Sequence, residues 1–414
     1  MSVWRPGPRP RWVRALNALG DSDWIALDAD ALVDEARRAT GLEDFGGETW
    51  QEGYRVFLEA LEREAQLTLI GRMLARSDIA NWLENRLRIT ETCRRQPGIE
   101  ASAVERPVFI TGLPRTGTSM LHELMGSDPA ARVPRAWEVR FPCPPPELDA
   151  DAGTGEGDSR VERAEREIRL WNEIVPEYDS MHELGARLPV ECIQITAHEF
   201  RSDELSGRHV VPSYASWLAQ SDLEPAYRFH RRMLQLLQWR HPGRWVLKAP
   251  SHLGALAALL AVYPDARIIQ THRDPLSVMA SVASILYSTA YVRSDAVDPE
   301  QVLGWFTGET CRLLLDRADA LRDEGRLSSD QICDVRYCDL VERPLETVAG
   351  AYDQLGLSYT SAVEASMRRT LDARPYGRHG AHRYEFADTG LDVAQERRRF
   401  RDYQERYGVP SEVT

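Results

Sequence analysis

The chain has 414 residues, 43% of them hydrophobic, and a formal charge of −13 from 51 basic and 64 acidic residues. This length is ample for one large domain or two to three smaller ones with a buried core. The acidic balance argues against a general binder of nucleic acid or of anionic membranes, so an anionic ligand would need a local basic pocket.

Residues 1–104 are predicted to form a mainly helical N-terminal region. Apolar side chains recur there every three or four residues, and no strand-like run interrupts them. The residues that follow this spacing are Leu58, Leu61, Ala65, Leu69 and Met73, and then Ile79, Leu83 and Leu87.

From residue 105 onward, short apolar strands alternate with helical patterns. Strands are predicted at 108–111, 245–248, 267–271 and 332–337, with helices at 118–125, 160–174, 227–239, 251–263 and 274–288. This alternation predicts an α/β fold, a P-loop-like parallel sheet flanked by helices, over residues 105–392. An acidic, glycine-rich loop is expected at 149–159, and a C-terminal helix at 393–414.

The six cysteines are scattered and form neither a C-x-x-C pair nor a metal-ligand cluster. This pattern predicts reduced thiols in a cytoplasmic protein without a metal. The N-terminal segment has no continuous apolar run, so a signal peptide is not expected. The longest helix-like apolar run, Leu253 to Tyr263, is too short to span a bilayer.

A loop typical of phosphate binding joins the first predicted strand to its helix. Two glycines, Gly112 and Gly117, let backbone N–H groups curl around an anion, and the start of the helix adds its positive end. A Walker A loop has lysine where Thr118 stands, so a triphosphate fits poorly and a one-phosphate donor fits better. The candidate ligands are Pro114, Arg115, Thr116, Gly117, Thr118 and Ser119.

With these segments, the sequence resembles the sulfotransferases that use PAPS (3′-phosphoadenosine 5′-phosphosulfate), especially their bacterial, mycobacterial-type branch, over roughly residues 105–392. The loop 112–119 is similar to that family's 5′-phosphosulfate loop. The segment THRDPLSVMAS, residues 271–281, is similar to its 3′-phosphate element, which implies that Arg273 and Ser281 bind that phosphate. Weaker matches lie at 335–340 with Pro344 and Leu355-Gly356, and at 380–384 with Gly390-Leu391.

The resemblance implies transfer of a sulfuryl group from PAPS to a hydroxyl or amine of a small or lipid-like acceptor, with release of PAP and without a metal. Nucleic acid is not an expected partner, and the oligomeric state stays open. Two alternatives are a non-catalytic sensor of PAP or PAPS and a P-loop-type kinase. The kinase is disfavoured by Thr118 and by the pair Arg273 and Ser281, since ATP has no 3′-phosphate.

Lys248 is the only lysine of the chain and ends a predicted strand, where α/β proteins bind ligands. A position that keeps lysine in an arginine-rich chain suggests a need for a compact ammonium. We assign Lys248 and Arg115 to the leaving group and the transferring sulfuryl.

The base that takes the acceptor's proton is left open at this point. Its candidates are Glu138, His182 and His252, with Glu191 a more distant option. The acceptor is expected to lie between the N-terminal region and residues 140–240, where aromatic side chains are frequent: Trp171, Tyr178, Tyr214 and Trp217.

Overall fold

A computed structural model describes residues 7–20, 22–144, 158–176, 178, 183–298, 304, 306–373 and 386–413. Within these ranges, five parallel strands form one sheet in the order β2-β3-β1-β4-β5. The strands are β1 Val108–Gly112, β2 Ala131–Arg132, β3 Arg244–Lys248, β4 Arg267–His272 and β5 Ile332–Arg336. The predicted parallel α/β sheet is therefore confirmed.

Helices cover most of the remaining described chain. They are α1 Arg11–Leu19, α2 Ala29–Thr40, α3 Thr49–Arg63, α4 Leu69–Arg95, α5 Gly98–Ala101, α6 Thr118–Gly126, α7 Ala136–Arg140, α8 Ser159–Ile174, α9 Ile193–Thr196, α10 Asp203–Arg208, α11 Pro212–Gln220, α12 Glu224–Gln238, α13 His252–Val262, α14 Pro275–Tyr291, α15 Gly308–Asp323, α16 Tyr337–Glu342, α17 Pro344–Gln354, α18 Ser361–Ala373 and α19 Val393–Tyr407.

Alternate side chains of each strand point to opposite faces of the sheet, and helices cover both faces. Phe109 and Ile268 pack with helices α12, α13, α15 and α19 in one core. Val108 and Ile269 pack on the other face with α6, α17 and α18. This layering leaves the carboxyl ends of the strands as the edge where loops can meet a ligand.

The N-terminal helices share a core with a later part of the chain. Leu32, Phe57 and Leu83 belong to the same buried cluster as Phe200 and Tyr214, which lie just before α10 and in α11. This core contains residues from both sides of residue 104. The domain division predicted at that residue therefore stays a prediction.

The regular apolar spacing from Leu58 to Met73 does not belong to one helix. Helix α3 ends at Arg63, Gln66 adopts a positive φ of 45°, and the Thr68 side chain accepts a hydrogen bond from the N–H of Gly71 to begin α4. Met73 is 53% exposed as a result. A local cap has overridden the longer periodicity.

Candidate active site

The loop between β1 and α6 has the backbone of an anion-binding turn. Arg115 and Gly117 adopt positive φ angles of 65° and 90°, a conformation that lets successive N–H groups converge on one anion. No side-chain hydrogen bond caps α6 at Gly117, so the first N–H groups of this helix are presented to the loop. A Cβ at Gly112 would lie 2.4 Å from Oγ1 and 2.5 Å from the carbonyl oxygen of Thr271, which explains the need for glycine there.

The side chains of this loop divide into two roles. Thr116 is buried, donates a hydrogen bond of 2.6 Å to the carbonyl of Leu113 and lies 2.5 Å from the Thr271 hydroxyl. It therefore holds the shape of the loop. The other predicted phosphate ligands line a cavity: Pro114, Arg115, Gly117, Thr118 and Ser119.

The structure brings together the residues of the two predicted anion sites. Arg273 follows β4, the neighbour of β1, and its Nη1 donates to the carbonyl of Arg115 at 3.0 Å. Arg115 in turn donates from Nε to Oγ of Ser281 at 3.1 Å. A short chain of hydrogen bonds thus joins the loop after β1 to the segment after β4, and every charged group in it is cationic.

The segment after β5 supports the same loop. Tyr337 and Leu340 begin α16, and a Cβ at Gly117 would come within 3.1 Å and 3.0 Å of their side chains. The guanidinium carbon of Arg273 lies 4.1 Å from the centre of the Tyr337 ring, a cation–π contact. The similarity noted at residues 335–340 therefore has a physical basis in close packing against the loop.

Lys248 ends β3 on the other side of β1 and is only 3% exposed. Its Nζ donates to Glu191 Oε1 at 2.5 Å and to Ser119 Oγ at 3.2 Å. Glu191 and Ser119 line the cavity, and Lys248 is buried behind them. A second backbone link, from the N–H of Cys192 to the carbonyl of Lys248 at 2.8 Å, fixes the segment that carries Glu191 beside the strand end.

One cavity of about 1170 Å³ is lined by Arg273, Tyr337, Glu191 and the residues of loop 112–119 other than Thr116, whereas Lys248 and Ser281 do not line it. Its lining also includes a set of apolar side chains, called here the apolar arm: Trp171, Tyr178, Leu184, Leu218, Leu223, Val282, Ile285, Leu286, Phe306, Leu313 and Leu314. Trp171 and Tyr178 of the predicted acceptor region belong to this arm, whereas Tyr214 is buried in the N-terminal core.

The structure separates the four candidate bases. Glu138 is 3% exposed, pairs with Arg132 at 2.8 Å and accepts the N–H of Arg135 at 3.2 Å, and it does not line the cavity. His182 lies outside the described residues. Glu191 and His252 both line the cavity.

His252 is buried and forms a hydrogen bond of 2.6 Å between Nδ1 and the Tyr227 hydroxyl. Burial, and then the charges of His230 and Lys248, lower the pKa of His252 well below its usual range. The imidazole is therefore neutral at neutral pH. Its Nε2 has no hydrogen-bond partner within the described structure.

Sequence reasoning missed two acidic residues of this cavity, Glu204 and its neighbour Asp203. The geometry of Asp203 is the more informative. This residue begins α10, lines the cavity and accepts a hydrogen bond from the Ser251 side chain. Burial chiefly raises its pKa, to about 6, and the nearby Glu191 adds to the effect. The pattern Ser202-Asp203-Glu204 resembles an ordinary helix start, so the sequence gave no signal of a cavity carboxylate.

The predicted C-terminal match is only partly described. Residues 380–384 lie outside the described ranges. Gly390, with a φ of 70°, and the partly exposed Leu391 precede α19. None of the described His, Cys, Asp and Glu side chains forms a group that could hold a metal ion. Among the described helices, none is both long enough and apolar enough to cross a membrane.

Comparison with known proteins agrees with this arrangement. A model of the sulfotransferase family matches residues 107–361, which is more than half of the chain. The Stf3 omega-hydroxy-beta-dihydromenaquinone-9 sulfotransferase of Mycobacterium bovis is 28% identical over 281 residues, covering 66% of this chain and 68% of that relative.

Two solved structures are similar over nearly the whole chain. Sulfotransferase STF1 from Mycobacterium tuberculosis is 34% identical with a TM-score of 0.78, covering 91% of this chain and 98% of its own. Sulfotransferase STF9 from Mycobacterium avium is 27% identical with a TM-score of 0.84, covering 95% and 100%. The chain therefore belongs to the sulfotransferase family, and the resemblance to the mycobacterial-type branch is confirmed. It is an enzyme that transfers a sulfuryl group.

Proposed function

We propose that this sulfotransferase uses PAPS as its donor, releases PAP, and sulfates a hydroxyl or amine of a lipid-like acceptor without a metal. The observation that supports the donor most directly is the hydrogen-bonded chain of Arg273, Arg115 and Ser281. It provides cationic groups at two neighbouring strand ends, one for the 5′-phosphosulfate and one for the 3′-phosphate. A nucleotide without a 3′-phosphate would leave the second site unused.

In this proposal, the loop after β1 binds the 5′-phosphosulfate through its N–H groups and Arg115. The acceptor oxygen or nitrogen attacks sulfur and forms the new bond, while the bond from sulfur to the bridging oxygen breaks. The electron pair of that bond stays on the phosphate of PAP. Lys248 stabilises this growing charge when its ammonium turns from Ser119 and Glu191 to the bridging oxygen.

Glu191 is the group we assign as the base. It lines the cavity, and its carboxylate contacts Lys248, which also donates to Ser119 of the donor loop. As Lys248 moves to the leaving group, Glu191 loses its cationic partner and becomes a better proton acceptor. Its side chain is 23% exposed, so it can reach an acceptor in the cavity, unlike the buried Glu138.

The apolar arm supports a lipid-like acceptor. Charged side chains such as Arg201, Arg208 and Arg317 also line the cavity, but most of its exposed lining surface is apolar, which favours a long apolar substituent over a small polar one. The Stf3 relative is named for a menaquinone-derived acceptor. A cytoplasmic location is part of the proposal and is supported by the six cysteines, all of them free thiols.

Calorimetry with PAP, ATP and AMP tests the donor. We expect PAP to bind more tightly than AMP, and Arg273→Ala to remove most of that difference. Arg406→Ala is the matched control, because Arg406 pairs with Asp323 on the surface, away from the cavity. Equal binding of PAP and AMP by the unaltered enzyme would contradict the proposed donor.

The acceptor is tested with radiolabelled PAPS and a series of primary alcohols of increasing length. Each further methylene that is buried in the arm contributes about 0.8 kcal/mol, or about fourfold in kcat/KM. We expect this rise to continue until the arm is filled. A series in which short polar alcohols are the best acceptors would refute a lipid-like substrate.

A further inference from the structure

The C-terminal tail, residues 409–413, returns from α19 to the predicted 3′-phosphate element. Gly408 ends α19 with a φ of 61°, and the N–H of Val409 donates to the carbonyl of Gln404 at 2.9 Å. Val409 is buried in the main core. The tail is thus a packed part of the fold within the described residues.

Asp274 fixes the backbone of this tail. One oxygen of its carboxylate accepts the N–H groups of Glu412 at 2.7 Å and Val413 at 3.1 Å. The other accepts Nη1 of Arg397 at 2.6 Å and, at 3.1 Å, the N–H of Leu276 in the first turn of α14. Burial alone would raise the pKa of Asp274, but Arg397 and these N–H donors lower it overall. The Cα of Glu412 is therefore placed without help from its own side chain.

The Glu412 carboxylate then binds Arg273, the residue just before Asp274. Arg273 Nε lies 2.9 Å from Oε1 and 3.0 Å from Oε2, and Nη2 lies 2.7 Å from Oε2. The Arg273 side chain is only 12% exposed and that of Glu412 is 32% exposed. This two-nitrogen contact fixes the plane of the guanidinium, which a single contact would not do.

Arg273 is restrained from other directions as well. Its Nη1 donates to the carbonyl of Arg115, and its guanidinium lies over the ring of Tyr337. Glu412 uses the edge formed by Nε and Nη2. Because a guanidinium has five N–H donors, it can serve a carboxylate on one edge and a phosphate on the other.

We propose that Glu412 is a positioning residue that holds the guanidinium of Arg273 in the orientation that selects a 3′-phosphorylated donor. This inference rests on the proposed function, in which Arg273 binds the 3′-phosphate. An arginine already fixed in place loses less side-chain freedom when the nucleotide binds. Asp274 thus fixes the tail, and Glu412 orients the guanidinium of Arg273.

The test compares PAP with AMP, which lacks the 3′-phosphate, in calorimetry with Glu412→Gln. We expect PAP affinity to fall about three- to tenfold and AMP affinity to stay unchanged. Glu412→Asp keeps the charge and should restore part of the loss. Glu405→Gln is the matched control, because it removes the same charge from an exposed position of α19.

In transfer assays, Glu412→Gln should raise KM for PAPS and leave kcat unchanged. Tighter PAP binding by this variant would show that Glu412 competes with the phosphate, and that result overturns the inference. Unchanged PAP affinity, or an equal loss for PAP and AMP, also overturns it. Arg273→Ala distinguishes a failure of this inference from a failure of the proposed donor site. If Arg273→Ala lowers PAP affinity and Glu412→Gln does not, only the positioning role of Glu412 is wrong. If Arg273→Ala leaves PAP affinity unchanged, the proposed donor site is wrong.

Discussion

Replacing Lys248 with methionine removes one buried ammonium and keeps nearly the same shape. An ammonium placed about 4 Å from the oxygen that gains charge contributes about 4 kcal/mol at an effective dielectric constant of 20. This corresponds to about a thousandfold in rate, and the loss of a single donor to such an oxygen usually lowers kcat about a hundred- to a thousandfold. We therefore expect Lys248→Met to lower kcat by a factor in that range.

The assay is single-turnover transfer from radiolabelled PAPS, with PAP affinity measured in parallel by calorimetry. PAPS affinity is measured in the same way, and because the bridging oxygen carries little charge before transfer, this affinity should change by less than about threefold. Glu191 loses its partner in this variant, but water can reach it since its side chain is 23% exposed. Lys248→Arg keeps the charge but brings a larger planar group into a position that is 3% exposed, so we expect only partial activity. A Lys248→Met enzyme that keeps a tenth of its kcat, or that loses kcat and PAPS affinity in parallel, would refute this role.

Three further predictions concern the surroundings of the site. Gly112→Ala should lower the free energy of unfolding by about 3 kcal/mol and abolish PAP binding, because its Cβ would clash with the backbone of Thr271; near-native PAP affinity would contradict this. Glu138→Gln should lower stability in urea by about 3–5 kcal/mol by breaking the buried pair with Arg132, while the transfer rate per folded molecule is kept; native stability with lost transfer would instead favour Glu138 as the base. Asp203→Asn should raise stability by up to about 3 kcal/mol at pH 7, because the folded-state pKa of about 6 lies above the ordinary 3.8 and ionisation destabilises the fold. This last gain should be complete above a pH of about 6 and vanish as the pH falls toward 4 in thermal melts, and a gain that is independent of pH would contradict the assigned pKa.

The sheet could be predicted because its four longer strands are apolar and each is followed by a helix. The strand β2 was missed because it has only two residues, Ala131 and Arg132, which carry no periodic signal. The last predicted strand was one residue too long: Tyr337 begins α16, where it packs against the phosphate loop. The end of α3 was missed for a related reason, since a capping threonine interrupts an otherwise regular apolar spacing.

The cationic half of the candidate site was accessible from sequence, because Lys248 ends a strand and Arg115 and Arg273 follow strands. Of the acidic half, only Glu191 was named, as a distant option for the base. Glu191 lies in a loop and Glu412 in the tail, and nothing in their local sequence shows which cation they meet. Arg115 and Ser281 are 166 residues apart in the chain, and Arg273 and Glu412 are 139 apart. Only tertiary packing decides such pairings.

These pairings explain how an acidic chain can present a cationic pocket. Lys248 forms an ion pair with Glu191, and Arg273 forms one with Glu412, so one carboxylate balances the charge of each cation. Each carboxylate also contacts a cation that must bind an anionic part of the donor. Removing Glu191 should therefore affect the leaving-group site through Lys248, and removing Glu412 should affect the 3′-phosphate site through Arg273. Both substitutions change the net charge of −13 by the same amount, and this change should not account for either effect.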